Sequence, residues 1–196
     1  MVKRALDILI SAAVLALLWP VFAAVAVAVW LDSGLPVFYG QTRVGKGFCR
    51  FTLWKFRSMW PNAGGPRITV AGDLRVTRVG RFLRRTKLDE LPQFWNVLKG
   101  DMSLVGPRPE VPEFVEIYRE RYRRVLSVRP GITDLASIRF RNEEAELAAA
   151  PDPHEQYVRK ILPMKLDLAD EYLERRSLAC DAAILLRTAA AVLRPS

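Results

Sequence analysis

Two adjacent carboxylates, Asp89 and Glu90, are the residues of this chain whose types and setting best suit chemistry. They lie in the segment TKLDELPQFWNVLKGDMSLVGPRP, residues 86–109. An ionised aspartate can attack a phosphorus atom and form an aspartyl phosphate. It can also hold a Mg²⁺ ion that bridges the phosphates of a substrate. The pair therefore predicts chemistry on a phosphate; its alternative interpretation is a charged first helical turn stabilised by the helix dipole.

Positive charge precedes the pair, and a stiff turn, Gly106-Pro107-Arg108-Pro109, follows it. The stretch from Asp73 to Lys87 holds one acid and six cations, which are Arg75, Arg78, Arg81, Arg84, Arg85 and Lys87. Such a cluster indicates an anionic partner, which could be a nucleotide diphosphate, anionic lipid or nucleic acid. The alternative is a basic face that is simply solvated.

The carboxylate pair is predicted to open an amphipathic helix over residues 88–98. Thr86 stands three residues before Asp89, as in a capping box, and Pro92 is tolerated only in the first turn of a helix. Neighbouring side chains on a helix point about 100° apart, so Asp89 and Glu90 should have different roles. The helix N-terminus and the nearby cations both favour an ionised Asp89. The apolar face of this helix is predicted to carry Leu91, Trp95 and Leu98.

An uncharged segment of 24 residues, from Ile8 to Leu31, is long enough to enter a membrane. As a straight helix it would measure about 36 Å, and the hydrocarbon core of a bilayer is roughly 30 Å thick. A cleaved signal peptide is one interpretation, because Lys3 and Arg4 precede the segment. However, the apolar stretch exceeds the usual length and no polar cleavage region follows it. A transmembrane helix is the second interpretation, and a re-entrant hairpin, which enters and leaves by one face, is the third.

Two features favour the re-entrant hairpin. Pro20 lies in the middle of the segment, where a proline removes a backbone hydrogen bond and kinks or breaks a helix. Positive residues flank the segment on both sides, so that both ends prefer the cytoplasm; they are Lys3, Arg4, Arg43, Lys46 and Arg50. Because spanning helices tolerate proline, these features leave the spanning helix open.

The remaining chain predicts a short β-hairpin followed mostly by helices. Residues 37–39 and 48–56 have the composition of strands around a Gly-Lys-Gly turn. Helices are expected over residues 78–85, 110–126, 143–150, 154–162 and 178–193. The last of these is either a core helix or a helix in the membrane interface.

Several familiar kinds of site are not expected. Residues 40–47 resemble a P-loop, but Gly47 stands where a P-loop needs Ser or Thr to hold Mg²⁺, so we reject an ATPase. The sequence has one histidine, His154, in a polar loop, which argues against a histidine triad or a multi-histidine metal site. Cys49 and Cys180 are far apart and fit free thiols in a reducing compartment.

Several motifs in register along nearly the whole chain resemble the bacterial sugar transferases, in particular the small monotopic phosphoglycosyl transferases. The strongest match is LDELPQ at residues 88–93, followed by Asn96, Gly100 and residues 102–109. The other matching residues are Lys3, Arg4, Asp7, 36–39, Gln41, Arg43, Gly45, Gly47, 54–59, 129–133, 141–142, 176–177 and Asp181.

The resemblance implies transfer of a phosphosugar from a UDP-sugar to a polyprenyl phosphate such as undecaprenyl phosphate, with release of UMP. It implies that Asp89 attacks the β-phosphorus and that Mg²⁺ bridges the diphosphate near Asp89. Glu90 would assist proton transfer or orient the acceptor phosphate. The substrate-binding residues that it implies are Lys55, Arg84, Pro107, Arg108, Pro109, Arg141 and Asp181. Pro107 and Pro109 would hold Arg108 in one orientation.

The fold expected from the pattern and the resemblance together is α/β and mostly helical. Residues 1–34 would form a re-entrant membrane helix-hairpin, and residues 35–196 a small cytosolic domain with a short β-hairpin and interfacial amphipathic helices. The protein would work at the cytosolic face of the bacterial inner membrane, in the first membrane step of polysaccharide biosynthesis. Besides the two substrates, its expected partner is the phospholipid membrane, with a homo-oligomer or downstream glycosyltransferases as further candidates. The larger relatives carry additional N-terminal transmembrane helices, and the chain is expected to be a minimal catalytic unit.

The chain departs from the family pattern at two places. Trp19-Pro20 stands where Ser-Pro is frequent, and Asp134, Ser137 and Phe140 stand in a stretch that resembles PGITGLAQVNGRN in many members. Asp134 is a candidate for altered sugar recognition, so the resemblance transfers no sugar identity.

A non-catalytic function is the alternative. A membrane-anchored protein whose basic face binds anionic lipid or polysaccharide-assembly enzymes explains the apolar segment and the charge. It does not explain LDELPQ beside GPRP. Nucleic-acid binding rests on the net charge of +9 alone, and we expect none.

Overall fold

Two short sheets are embedded in a mostly helical chain. The computed structural model describes residues 2–66 and 68–193, the last two of them by backbone alone. The helices are α1 Val2–Leu17, α2 Trp19–Ser33, α3 Arg78–Thr86, α4 Gln93–Lys99, α5 Pro112–Ile117, α6 Arg119–Val125, α7 Leu135–Arg139, α8 Glu143–Ala148, α9 Pro153–Gln156, α10 Leu162–Arg175 and α11 Leu178–Leu193. The strands β1 Phe38–Val44 and β2 Arg50–Phe56 pair antiparallel, whereas β3 Ser103–Val105 and β4 Gly131–Thr133 pair parallel.

The apolar N-terminal segment is bent, as the position of Pro20 predicts. The axes of α1 and α2 differ by 62°, and Pro20 lies in the first turn of α2. Within residues 2–66 and 68–193, no helix alone has the length and composition to cross a membrane, but the bent pair meets that test together. This composition and length fit either a broken span or a re-entrant loop. The domain boundary expected after residue 34 stays a prediction.

Both ends of the bent pair are attached to the rest of the chain. At the start of α1, Arg4 donates hydrogen bonds to the carbonyls of Val97 and Leu98 at the end of α4 (2.7 and 3.0 Å). The buried Asp7 accepts bonds from Ser103 Oγ (2.8 Å) and Leu104 N (3.1 Å) in β3. At the other end, the guanidinium of Arg57 donates to the carbonyls of Ser33 and Gly34 (2.8 and 2.6 Å).

The β-hairpin is confirmed, and with it the rejection of a P-loop. Strands β1 and β2 pair from Phe38 opposite Phe56 to Val44 opposite Arg50. The turn between them is a single 3₁₀ turn, Lys46–Phe48, in which Gly47 has φ 65°. Residues 40–47 therefore form a strand and a hairpin turn, and no helix follows them to bind a phosphate.

The helix expected over residues 88–98 is divided in the structure, and its cap is not Thr86. Thr86 belongs to the last turn of α3, where its hydroxyl donates to the carbonyls of Phe82 and Leu83. Residues 88–90 form a 3₁₀ turn, and α4 begins only at Gln93. The predicted apolar face is also wrong at Trp95, which is 54 % exposed, since α4 buries Gln93, Asn96 and Val97 instead. Asn96 is retained inside because it bonds the β2 backbone at Thr52 O and Trp54 N (2.7 and 3.1 Å).

Two other helix predictions change in detail. The helix expected over residues 110–126 breaks at Tyr118 (φ −117°, ψ 36°) into α5 and α6. The residues expected as a helix at 154–162 form α9 and a π-helical turn, 157–161, which continues into α10. Helix α10 was not expected, although its buried residues follow helical spacing; they are Leu162, Leu166, Ala169 and Tyr172.

Candidate active site

Lys87 sets the backbone geometry of the carboxylate pair. It adopts the left-handed conformation (φ 60°, ψ 15°), ends α3 and leads directly into the 3₁₀ turn of Leu88–Glu90. The chain therefore turns between α3 and α4, and the basic last turn of α3, with Arg84 and Arg85, lies beside the carboxylates. If α3 continued as one helix through the carboxylates, Arg84 and Arg85 would be separated from Asp89 and Glu90 along the helix axis.

Asp89 is a buried carboxylate without full hydrogen bonding. It is 4 % exposed, and its Oδ1 has no hydrogen-bond partner. Burial raises the pKa of Asp89; the positive charge of Lys55 acts against this shift, and the negative charge of Glu90 adds to it. Buried polar atoms are nearly always bonded in folded proteins, so an unpartnered oxygen here indicates an atom reserved for a ligand or a reaction.

Glu90, in contrast to Asp89, has an oxygen that accepts hydrogen bonds from two cations. Lys55 Nζ donates to Glu90 Oε1 at 2.9 Å, and the guanidinium of Arg108 donates to the same oxygen. Burial pushes the pKa of Glu90 upward, but the charges of Arg108 and Lys55 outweigh it and hold the pKa well below the ordinary value. Glu90 is therefore ionised at neutral pH and fixes two cations close to Asp89.

The Pro107-Arg108-Pro109 turn is anchored to β4. A Cβ on Gly131 would lie 2.1 Å from Gly106 N, so the two chain segments meet at a distance that excludes side chains. The backbones are joined by Gly106 N to Thr133 O (3.1 Å) and Gly131 N to Pro107 O (3.0 Å). Because of this junction, Arg108, three residues after the end of β3, lies within hydrogen-bonding distance of Glu90.

Arg84 reaches the site from α3 and is paired with Glu144 of α8. The loop before α3 is joined to the same residue, since Ala71 N donates to Glu144 O at 2.9 Å. Arg75 donates to the carbonyls of Gly64 and Pro66 (3.0 and 2.8 Å) and so holds this loop together. Glu144 was not expected at the site, because its partners are distant along the chain.

An open cleft of about 1320 Å³ joins most of the predicted site residues. Its lining includes Lys55, Arg84, Asp89, Glu90, Pro107, Arg108, Pro109 and Arg141. Asp181 is not among the residues that line it. The carboxylate of Asp181 instead accepts a bond from Tyr172 Oη (2.8 Å) and pairs with Lys3, which ties α11 to α10 and α1.

The site fits a metal ion only together with a substrate. Among the described residues, no group of three or more His, Cys, Asp or Glu is arranged to hold a metal. Mg²⁺, however, is commonly bound by one or two carboxylates, water and substrate phosphates. The unpartnered Oδ1 of Asp89 is suited to be such a carboxylate ligand, whereas Oε1 of Glu90 already accepts bonds from two cations.

The sequence of the chain matches a known protein family. The family model described as bacterial sugar transferase matches residues 1–195. The chain is 39 % identical over 196 residues to a UDP-glucose:undecaprenyl-phosphate glucose-1-phosphate transferase of Caulobacter vibrioides, covering 97 % of this chain and 69 % of the relative. It is 46 % identical over 144 residues to a UDP-N-acetylgalactosamine-undecaprenyl-phosphate N-acetylgalactosaminephosphotransferase of Aeromonas hydrophila, covering 70 % of this chain and 34 % of the relative.

A third relative is similar over a comparable length of the chain. A UDP-glucose:undecaprenyl-phosphate glucose-1-phosphate transferase of Escherichia coli is 48 % identical over 143 residues, which cover 70 % of this chain and 31 % of the relative. The matched region thus spans about a third of the length of the Aeromonas and Escherichia proteins.

Proposed function

The chain belongs to the bacterial sugar transferase family, and from this premise we propose that it transfers a phosphosugar from a UDP-sugar to undecaprenyl phosphate and releases UMP. The observation that carries the proposal is the buried carboxylate of Asp89, whose Oδ1 has no hydrogen-bond partner, in a cleft lined by cations. The names of the similar proteins, which pair a UDP-sugar with undecaprenyl phosphate, support the same substrates.

The proposed reaction has two displacements at one phosphorus atom. A carboxylate oxygen of Asp89 attacks the β-phosphorus of the UDP-sugar, the bond from that phosphorus to the bridging oxygen breaks, and UMP leaves with the bridging oxygen. A phosphate oxygen of undecaprenyl phosphate then attacks the phosphorus of the phosphosugar–Asp89 intermediate. The new diphosphate bond forms, the acyl phosphate bond breaks, and Asp89 is released as a carboxylate.

The cations of the cleft are suited to stabilise the negative charge that develops during this reaction. During phosphoryl transfer, negative charge spreads over the phosphoryl oxygens, and fixed positive groups stabilise it. Lys55 and Arg108 are fixed by Glu90, and Arg84 lies in the last turn of α3, where its positive charge acts to lower the pKa of Asp89. Because Glu90 stays ionised, holding these cations suits it better than donating a proton.

Mg²⁺ is part of the proposal. Asp89 is the residue that would hold it, through its unpartnered oxygen, together with the substrate diphosphate. When bound, the ion would neutralise charge on the phosphates.

We propose that the protein lies on the cytosolic face of the bacterial inner membrane through a re-entrant α1–α2 hairpin. The bend of 62° and the attachment of both hairpin ends to the same set of elements support this topology. The start of α1 is bonded to α4 and β3, and the end of α2 is bonded to Arg57 directly after β2. Both ends then lie on one side of the bilayer, where a soluble nucleotide and a lipid phosphate can meet.

The test is UMP release by the purified protein with undecaprenyl phosphate, Mg²⁺ and a panel of UDP-sugars. We expect at least one UDP-sugar to be turned over and Asp89→Asn to abolish its turnover. The fold should persist, with a melting temperature no lower than that of the wild type, since burial disfavours the charge that this substitution removes.

Asp152→Asn is the matched control, because Asp152 is exposed and does not line the cleft. It should retain wild-type turnover. Wild-type turnover by Asp89→Asn would show that Asp89 is not the nucleophile. Absence of UMP release with every UDP-sugar would refute the transferase itself.

A further inference from the structure

We infer that Asp134, which lines the cleft, is a positioning residue for Arg108. Asp134 follows β4 directly and is 4 % exposed. Its Oδ2 accepts a hydrogen bond from the backbone N–H of Arg108 at 3.0 Å. The inference rests on the proposed function for the role of Arg108, but the contact itself does not depend on that function.

The sequence of the turn makes this contact the specific anchor of Arg108. Proline has no backbone N–H, so in Pro107-Arg108-Pro109 the N–H of Arg108 is the only backbone donor. Asp134 accepts from this donor. The preceding residue, Gly106, is already bonded to Thr133 O, one position before Asp134. Residues 131–134 therefore form successive contacts with the backbone of residues 106–108, and the last of these contacts is the bond to Arg108.

The same segment also supports the side chain of Arg108. One guanidinium nitrogen donates to Ile132 O at 3.2 Å, and another donates to Glu90. Three acceptors thus hold Arg108: Asp134 binds its backbone N–H, Ile132 O binds one terminal guanidinium nitrogen, and Glu90 binds the other. Its side chain remains 34 % exposed in the cleft, which leaves it accessible to a phosphate.

The second oxygen of Asp134 caps a helix. Asp134 is the N-cap of α7, and its Oδ1 accepts bonds from the N–H and the hydroxyl of Ser137, both at 2.7 Å. A cap uses one oxygen and is satisfied equally well by serine. Only a carboxylate of this length serves the cap and Arg108 together, and this division of the two oxygens allows the roles to be separated by mutation.

Asp134→Ser is therefore the informative variant, since it keeps a capping oxygen for Ser137 and removes the acceptor for Arg108. Asp152→Ser is its matched control: Asp152 is also an N-cap, that of α9, it is exposed, and it does not line the cleft. Both variants replace a capping aspartate by the same residue. Only one of them removes a bond to Arg108.

The first measurement is amide hydrogen exchange of a peptide covering residues 106–110. Because two of these residues are prolines, the peptide reports only Gly106, Arg108 and Glu110. We expect the Arg108 amide to exchange at least about tenfold faster in Asp134→Ser and at the wild-type rate in Asp152→Ser. Wild-type exchange in Asp134→Ser would overturn the inference whether or not the protein is a transferase.

The second measurement is the kcat/KM of UMP release in a double-mutant cycle with Arg108→Ala. We expect Asp134→Ser to lose about tenfold alone and less than twofold further in the Arg108→Ala background, because it acts through Arg108. Full additivity, or an unchanged rate in Asp134→Ser, would overturn the positioning role. If the wild type releases no UMP, the proposed function fails, and the exchange measurement still decides whether Asp134 anchors Arg108.

Discussion

Asp89 and Glu90 are neighbours in the chain, yet their surroundings shift their pKa values in opposite directions. Burial dominates at Asp89 and raises its pKa, whereas the cations Arg108 and Lys55 outweigh burial at Glu90 and lower it. Pairs of carboxylates whose pKa values are driven apart commonly divide two roles between them. Here Asp89 is the carboxylate with a free oxygen, and Glu90 is the carboxylate that organises the cations.

Glu90→Gln should lower the free energy of unfolding by roughly 2 kcal/mol at pH 7, because Lys55 and Arg108 lose a charged partner in a mostly buried cluster. The folded-state pKa of Glu90 lies below its unfolded value, so its stabilisation is complete above the unfolded pKa. It is lost as pH falls through the folded-state pKa. Urea unfolding in detergent from pH 7 to acid measures the difference between the two proteins.

Glu116→Gln is the control for this experiment, since Glu116 pairs with Arg119 on the surface, where both side chains are more than half exposed. Its effect should stay within about 0.5 kcal/mol. A stability difference for Glu90→Gln that is the same at acid and neutral pH would contradict the ionised, cation-bound state of Glu90.

At the scale of elements, α3 is placed by a close contact at Gly80. A Cβ on Gly80 would lie 2.0 Å from the backbone oxygen of Ser58, just after β2. Thr77 caps the same helix through Gly80 N at 2.9 Å, and Asp32 at the end of α2 accepts from Val79 N at 3.1 Å. The helix that carries Arg84 is thus fixed both to the β-hairpin and to the α1–α2 hairpin.

Gly80→Ala should destabilise the protein by about 1 to 3 kcal/mol, because the added methyl group meets backbone and cannot be relieved by a rotamer change. Turnover should fall as well, since displacing α3 moves Arg84 away from the carboxylates. The measurements are the urea midpoint and UMP release. Arg81→Ala, on the exposed face of the same helix, should change stability by less than about 0.5 kcal/mol. Equal midpoints for Gly80→Ala and the wild type would show that α3 can move without cost.

At the scale of the whole molecule, one apolar cluster connects the α1–α2 hairpin to the candidate active site. Val25 and Val29 of α2 are buried against Phe56 of β2 and Leu83 of α3, and Leu88 and Leu91 pack on the same cluster. The two residues that flank the carboxylate pair therefore touch the cluster that anchors the hairpin. The position of Asp89 relative to the α1–α2 hairpin follows from this shared core.

The proposed topology predicts that both ends of the α1–α2 hairpin face the cytosol. In a variant with Cys49 and Cys180 replaced by serine, single cysteines at Val2 and at Leu35 should react with a membrane-impermeant maleimide in inverted membrane vesicles. Neither should react in intact spheroplasts. Labelling of Val2→Cys from the periplasmic side would contradict re-entry and indicate a spanning helix. Wild-type Cys49, which is exposed in the hairpin turn, serves as the cytosolic reference.

The local elements were largely predictable from sequence. The bend at Pro20, the β-hairpin and the helices α3 and α11 were expected close to where they lie, because proline geometry, turn residues and apolar periodicity act within a few residues. Asp89 and Glu90, which the resemblance of LDELPQ singled out, line one cleft with Lys55 and Arg108. The left-handed Lys87, which separates α3 from the carboxylate turn, has no comparable local signal.

Only the tertiary structure decided which partner each charge meets. Glu90 bonds Lys55 and Arg108 across 35 and 18 residues, Asp134 bonds Arg108 across 26, and Arg84 meets Glu144 across 60. Such pairs depend on how the hairpin, α3, β3 and β4 pack, and packing is governed by apolar contacts elsewhere in the chain. The residue types therefore predicted phosphate chemistry at Asp89. The long-range packing determined that its neighbour Glu90 binds two cations and that Asp134 accepts a hydrogen bond from Arg108.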